Sequence, residues 1–106
     1  MIADVTDWDF DRIVGASTIP VLVEFWQPGC GHCRALLAEL ERLQPELEGH
    51  ITILKMNVRD NHQIPAELEI TGLPVLALYE QGEFQRFIGG LGRKEDIKKQ
   101  LSLGAG

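Results

Sequence analysis

Short runs of hydrophobic residues, separated by polar and glycine-containing turns, predict a series of β-strands. Residues 21–26 are nearly all apolar, and such a run is typical of a strand whose two faces are both buried. The other predicted strands cover residues 2–5, 51–58, 74–79 and 84–88. Gln81 and Gly82 lie between the last two of these strands, so we expect a β-hairpin with its turn at this dipeptide.

Apolar residues at spacings of three and four predict helices between the strands. In the longest helix, residues 31–48, one apolar stripe is formed by Leu36, Leu37, Leu40, Leu43 and Leu47. Pro45 lies inside this pattern and cannot donate a backbone hydrogen bond to the carbonyl of Glu41, so we expect a kink or break there. The shorter predicted helices cover residues 7–15, 61–70 and 93–103, the first of them capped by Asp7.

The order of these elements predicts how they assemble. Strands that alternate with helices pair in parallel through helical crossovers, and the late hairpin adds an antiparallel edge. The sequence therefore predicts an α/β fold with a mixed central β-sheet, flanked by helices on both faces, in a single domain that spans residues 1–106.

Composition and charge narrow the class of partner. Hydrophobic residues make up 44% of the 106 residues, which fits one ordinary globular domain. Asp and Glu outnumber Lys and Arg by 16 to 10, giving a formal net charge of -6. We therefore expect neither nucleic acid nor a membrane as a partner, because nucleic acids and anionic membranes bind basic patches. Residues 1–7 lack the basic start and apolar core of a signal peptide, so a cytoplasmic location is expected if the chain is complete.

The strongest chemical signal is the motif Cys30-Gly31-His32-Cys33, which directly follows a predicted strand and begins the long helix. Free backbone N–H groups and the helix dipole stabilise a thiolate at a helix N-terminus, and cysteines in such motifs have pKa values of roughly 3.5–7.5. We predict that Cys30, nearer the helix end, attacks a disulfide and that the more buried Cys33 resolves the mixed disulfide.

A zinc site is the main alternative for a Cys-x-x-Cys pair. Two further ligands would have to come from His32, His50 and His62, of which the last two are scattered along the chain. The strand-to-helix context favours a redox motif over a metal site, and a purely structural disulfide is not expected in a cytosolic chain. We therefore expect no metal.

The segment from Trp26 to Arg34, WQPGCGHCR, resembles the active-site segment of the thioredoxin family. The dipeptide Gly31-His32 is similar to that of protein disulfide isomerase domains, whereas ordinary thioredoxins carry Gly-Pro. The resemblance extends over nearly the whole chain, through residues 23–26, 55–58, 71–75 and 88–89. It implies a thioredoxin fold and a thiol–disulfide oxidoreductase.

The resemblance also implies a substrate surface around the motif. Pro74 looks like the cis-proline opposite the active site, although a plain turn proline at a strand start is the simpler interpretation. Leu73 would then offer backbone groups to an incoming peptide, and Gly89 would leave room for it. Gly31 belongs to the same surface, and Trp26 is expected there chiefly as a packing residue that supports the motif.

Glu24 stands in an otherwise apolar strand, where a carboxylate is costly unless it is paired or functional. The resemblance implies a buried acid beneath the cysteines that relays a proton to or from Cys33, with Lys55 paired to it. The alternative is that Glu24 turns outward at the edge of the strand.

Two positions depart from the family pattern. Thioredoxins usually have Trp immediately before the first cysteine, where this chain has Gly29, so a large apolar contact is missing from the substrate surface. The usual helix-kinking proline is replaced by Ala38, so we expect a straight helix there and a kink displaced towards Pro45.

The expected function is that of a cytoplasmic, thioredoxin-like reductant of protein disulfides. Its only redox group would be the Cys30–Cys33 disulfide, and a separate thioredoxin reductase would recharge it, because the chain has no glycine-rich nucleotide motif. We expect a monomer. An oxidase or isomerase of higher potential is the first alternative, since His32 beside the thiolate would stabilise the reduced form unless it is a mere spacer. A non-catalytic binding module is the second.

Overall fold

A five-stranded sheet runs through the centre of the molecule. The computed structural model describes residues 1–89 and 92–102, the last of these by its backbone alone. In chain order the elements are β1 (Ala3–Asp4), α1 (Phe10–Ile13), β2 (Val21–Trp26), α2 (Gly31–Leu47), β3 (Thr52–Asn57), α3 (Gln63–Glu67), β4 (Val75–Glu80), β5 (Glu83–Ile88) and α4 (Lys94–Ser102). This is the predicted order of strands and helices. No helix in the described part of the chain is long and apolar enough to cross a membrane.

The strands lie in the order β1-β3-β2-β4-β5. The pairs β1–β3 and β2–β3 are parallel, while β2–β4 and β4–β5 are antiparallel. The prediction of a mixed sheet is therefore confirmed. Its central strand, β2, is paired on both edges, and Glu24 lies in register between Lys55 on β3 and Leu76 on β4.

Two hydrophobic layers cover the faces of the sheet. One contains Leu22 of β2 with the α2 leucines and Ile97 of α4, and the other contains Phe25 of β2 with Phe10 and Ile64 of α1 and α3. Because side chains alternate along a strand, Glu24 lies on the same face as Leu22, beneath α2. The prediction of helices on both faces is confirmed. The α/β fold that the resemblance implies is confirmed as well.

Asp7 does not cap the first helix, and this prediction was wrong. Helix α1 is short, and the Asp7 carboxylate instead accepts hydrogen bonds from the backbone N–H groups of His62, Gln63 and Ile64, at 2.7, 2.8 and 2.9 Å. These are free donors at the start of α3. A cap supplied from 55 or more residues away has no local sequence pattern.

A kink or break was predicted at Pro45, and the break was wrong, because α2 continues through this residue to Leu47. Pro45 itself is exposed, whereas Leu43 and Leu47 on either side of it are buried in the core. Packing of these leucines therefore holds the last turn although one backbone hydrogen bond is missing. The predicted end of the last helix, Leu103, lies outside the described residues.

The hairpin turn has the predicted position. Gln81 and Gly82 join β4 to β5 with φ angles of 54° and 80°. Two successive left-handed residues match the backbone of a type I′ turn, whose twist suits the flanking strands. The predicted helix over residues 61–70 is shorter than expected, because Glu69 also has a positive φ, 55°, and ends the helical segment.

Candidate active site

Cys30 and Cys33 form a disulfide at the N-terminus of α2, with their Cα atoms 5.2 Å apart. Cys30 is the N-cap residue, and its Sγ accepts a hydrogen bond from the backbone N–H of Cys33 at 3.2 Å. Cys30 is half-buried, whereas Cys33 is only 2% exposed. The sulfur that an external disulfide can reach is therefore that of Cys30, in agreement with the predicted order of attack.

The same geometry stabilises negative charge on Cys30 after the disulfide is reduced. A hydrogen bond from a backbone N–H to sulfur is stronger when the sulfur is a thiolate, and the positive end of the helix dipole acts in the same direction. The turn that presents Cys30 needs Gly29, whose φ is 86°. From the sequence, Gly29 was interpreted only as the loss of a Trp contact, and this conformational requirement was missed.

The peptide bond between Leu73 and Pro74 is cis, as the resemblance implies. A cavity of about 480 Å³ has Cys30, Gly31 and His32 on one side and residues 70–73 on the other. A smaller cavity of about 270 Å³ is lined by both His32 and Pro74. The fold therefore brings the cysteine motif and the cis-proline segment, 40 residues apart in the chain, to one surface.

Gly89 follows β5 and lies with Leu73 and Pro74 on the wall of a further groove. Its exposed backbone is not free: its N–H donates to Oε1 of Gln100 at 3.3 Å, and its carbonyl accepts from Nε2 of the same side chain. Gln100 on α4 thus fixes this end of the surface, a contact that sequence reasoning did not find.

Glu24 is fully buried, so the alternative that it turns outward is wrong. Neither carboxylate oxygen has a hydrogen-bond partner among the described residues. Burial raises the pKa of Glu24 to about 8, although the positive charge of Lys55 lowers it in part. A carboxyl group with this pKa can gain and lose a proton near neutral pH.

Lys55 does not form the ion pair with Glu24 that the resemblance implies. The two residues are register partners on β2 and β3, but the Lys55 ammonium lies over the indole ring of Trp26, 5.2 Å from its centroid. Trp26 follows Glu24 by two residues and shares its face of the sheet, so a cation–π contact competes with the ion pair. The buried Nε1 of Trp26 has no hydrogen-bond partner among the described residues.

His32 is exposed and lines both cavities, of which the larger also contains Cys30. His62 lies at the start of α3 and His50 after the end of α2. Over residues 1–89 and 92–102, no three His, Cys, Asp or Glu side chains come together in an arrangement that could hold a metal ion.

Comparisons with known proteins agree with this geometry. The family model described as Thioredoxin matches residues 1–102. The chain is 39% identical over 82 residues to a thioredoxin of Haemophilus influenzae, covering 77% of each chain. It is 37% identical over 97 residues to a thioredoxin of Rickettsia felis, covering 92% of each chain, and 34% identical over 101 residues to a thioredoxin of Porphyra purpurea, covering 95% of this chain and 94% of the relative.

Proposed function

The chain belongs to the thioredoxin family, and from this premise we propose that it reduces disulfides of other proteins with the Cys30–Cys33 dithiol. The observation that carries the proposal is the position of Cys30, which caps α2 and lines an open cavity against the cis-proline segment. A protein-disulfide oxidoreductase of this family needs one accessible and one shielded sulfur, and the two cysteines have these properties.

The reaction has two exchange steps. The Cys30 thiolate attacks one sulfur of the substrate disulfide, the substrate S–S bond breaks, and the other substrate sulfur leaves as a thiolate that takes up a proton. The Cys33 thiolate then attacks Sγ of Cys30, which breaks the mixed disulfide and releases the second substrate thiol. Two electrons pass from the dithiol to the substrate, and the chain is left with the Cys30–Cys33 disulfide.

Glu24 supplies the proton acceptor for the second step. Cys33 is buried and has to lose its proton before it attacks. Glu24 lies on the α2 face of the sheet, and its raised pKa makes it a base of suitable strength near neutral pH. Lys55 acts on this group through space by lowering its pKa, while it is held over Trp26.

The substrate is an extended polypeptide that lies across residues 73 and 74 and pairs with the backbone of Leu73. Gly31 and Gly89 leave space for it on either side, and Gly89 is exposed. A separate thioredoxin reductase restores the dithiol by a further two-electron exchange. A reductant of this kind works in a reducing compartment, and we place it in the cytoplasm as a monomer.

A disulfide oxidase or isomerase is the second candidate, and the observation that favours it is that His32 and Cys30 line the same cavity. Reduction potentials of dithiol proteins with this chemistry run from about -270 mV for thioredoxin to about -180 mV for protein disulfide isomerase. A histidine that stabilises the thiolate shifts the potential towards the second value.

The test combines a measurement of the reduction potential with two cysteine variants. Equilibration of the protein with glutathione buffers should give a potential nearer to that of thioredoxin, and the reduced protein should reduce insulin disulfides. Cys30→Ser should abolish this activity, and Cys33→Ser should accumulate a mixed disulfide through Cys30. A potential near that of the isomerase would select the oxidase or isomerase instead, and full biological activity of Cys30→Ser would favour a binding module.

A further inference from the structure

A second groove adjoins the cavity beside Cys30 and leads away from it. This groove, of about 560 Å³, is bounded on one side by residues 68–75 and on the other by Phe87, Ile88 and Gly89 at the end of β5. We call it the Phe87 groove. Residues 70–73 line both the Phe87 groove and the cavity that contains Cys30. The two depressions therefore adjoin along this short segment.

The wall of the Phe87 groove is mostly apolar, and Phe87 is exposed on it. Phe87 is 47% exposed and packs against Phe84, with the ring centroids 4.8 Å apart. Among the described residues that line the groove, Glu69 alone is charged. An exposed aromatic ring beside an apolar groove is typical of a binding surface and is costly to leave in water.

The fold explains why this surface is open. Phe84 and Phe87 lie on the edge strand β5, and Phe84 also packs against Tyr79 on the face of the sheet that α1 and α3 cover. Helix α3 ends at Glu67, and the chain then runs through the left-handed Glu69 towards the cis-proline. The helix is too short to cover Phe87, so the end of β5 stays exposed on this face.

We propose that the Phe87 groove binds a large apolar side chain of the protein substrate, on the same extended segment as the substrate cysteine. The inference rests on the proposed function, because it depends on the continuity of this groove with the site of disulfide exchange. A peptide whose cysteine reaches Cys30 crosses residues 70–73, and its neighbouring residues then lie over the groove. The contact selects substrates with aromatic or large aliphatic residues near the reactive cysteine.

The experiment measures reduction of short peptides by the chemically reduced protein. Each peptide forms a mixed disulfide with a small thiol and carries one phenylalanine at a successive position before or after its cysteine, all other positions being serine. The wild type should prefer the best phenylalanine peptide over the all-serine peptide by at least about fivefold in the second-order rate constant. Phe87→Ser should reduce this preference to less than about twofold, and Phe87→Leu should retain most of it.

Phe84→Ser is the matched control. Phe84 lies on the same strand, is 39% exposed and packs against Phe87, but it does not line the groove, so its loss should leave most of the preference in place. Reduction of bis(2-hydroxyethyl) disulfide, which is too small to reach the groove, reports on the folded exchange site and should be equal in all variants. Equal rates for all peptides with the wild type, or an equal loss of preference in Phe84→Ser and Phe87→Ser, would overturn the inference. A wild type that reduces neither the peptides nor the small disulfide would instead overturn the proposed function.

Discussion

Glu24 is the residue whose chemistry can be separated most cleanly from that of the cysteines. It is fully buried on the α2 face, while Cys30 reacts at the surface of the molecule. Glu24→Gln keeps the shape of the side chain but removes its ability to accept a proton. We expect this variant to slow release of the mixed disulfide by roughly tenfold to a hundredfold, while the first attack by Cys30 keeps its rate. Rapid-mixing measurements of the two steps test this, with the exposed Glu41→Gln as control. Equal slowing of both steps would remove the relay role.

His32 tests the balance between the reduced and the oxidised form. His32 lines the same cavity as Cys30, and a positive charge or an N–H donor near the sulfur stabilises the thiolate but not the disulfide. His32→Pro should therefore lower the reduction potential, by on the order of 20 mV, and slow alkylation of Cys30 at neutral pH. The effect is modest because His32 is exposed and water screens its charge. Equilibration with a glutathione series gives the potential, and an unchanged or higher value would identify His32 as a spacer.

At the residue scale, prediction from sequence succeeded where the position of a residue in a strand or helix determines whether its side chain is buried or exposed. The burial of Glu24 follows from its place in an apolar strand, and the exposure of Cys30 follows from its place at a helix end. The partner of Lys55 was missed because a long, flexible side chain chooses among several neighbours. Trp26 and Glu24 lie on the same face within its reach, and the choice of Trp26 depends on geometry that spacing does not contain.

Among the elements, α3 depends most on a distant residue. Asp7 supplies acceptors to three backbone N–H groups at its first turn, and the helix has only five residues. Asp7→Ala should lower the free energy of unfolding by about 1–2 kcal/mol, whereas Asp11→Ala, at an exposed position of α1, should have little effect. Denaturant unfolding of the oxidised proteins measures both. Equal stability of the two variants would contradict the capping role.

The contribution of Asp7 should also depend on pH in one direction. Burial alone would raise the pKa of Asp7, but the three backbone donors outweigh it, and the pKa lies below its usual value of 3.8. The folded form therefore keeps the carboxylate charged to lower pH than the unfolded form does. The stabilisation is complete above about pH 5 and is lost as the pH falls through the lowered pKa, so wild type and Asp7→Ala should converge in acid.

The β4–β5 turn offers a substitution in the stabilising direction. Gln81 has a φ of 54°, a conformation that asparagine adopts more readily than glutamine, and Asn-Gly is the preferred pair for a type I′ turn. Gln81→Asn should raise the free energy of unfolding by about 0.5 kcal/mol. Gln81→Val at the same position should lower it by about 1–2 kcal/mol, because a β-branched side chain opposes this backbone. Thermal unfolding of the two variants would contradict the assignment if they changed in the same direction.

At the element scale, local patterns predicted which elements exist better than where they end. The order of strands and helices follows from hydrophobic periodicity and from the Gln81-Gly82 turn, both of which are local. The end of α2 does not follow from a local pattern, because buried Leu43 and Leu47 hold a turn that Pro45 would otherwise disrupt. The cap of α3 was missed for the same reason, since Asp7 reaches it through tertiary structure. Packing between elements decides such boundaries.

For the whole molecule, burial of Glu24 lowers the free energy of unfolding by an amount that depends on pH. The pKa of Glu24 is about 8 in the folded chain, because of burial, against a usual value of 4.5. Between these two pH values the folded form holds a proton that the unfolded form has released. Raising the pH in this window therefore favours unfolding, and the free energy of unfolding falls from about pH 4.5 until it levels off above about pH 8. Asp7 and Glu46 have lowered pKa values and titrate at more acidic pH. They therefore do not contribute to the change in stability in the upper part of this pH range.

The stability of the oxidised protein should accordingly decline as the pH rises from about 5.5 to about 8, and Glu24→Gln should remove that decline. The slope expected for a single such group approaches about 1.4 kcal/mol per pH unit, and relaxation around the charged carboxylate reduces it to the order of 1 kcal/mol.

The oxidised form is used because the Cys30–Cys33 disulfide does not titrate. Glu41→Gln removes an exposed carboxylate instead and serves as the control, and both variants keep all three histidines. The buried amide of Glu24→Gln can shift its stability by a constant amount, so the slopes are compared rather than the values at one pH. Denaturant unfolding across this range should give the same slope for wild type and Glu41→Gln and a nearly flat profile for Glu24→Gln. A decline that persists unchanged in Glu24→Gln would mean that the pKa of Glu24 is not raised in the folded protein, and its carboxylate would then be too weak a base to take the proton of Cys33 near neutral pH.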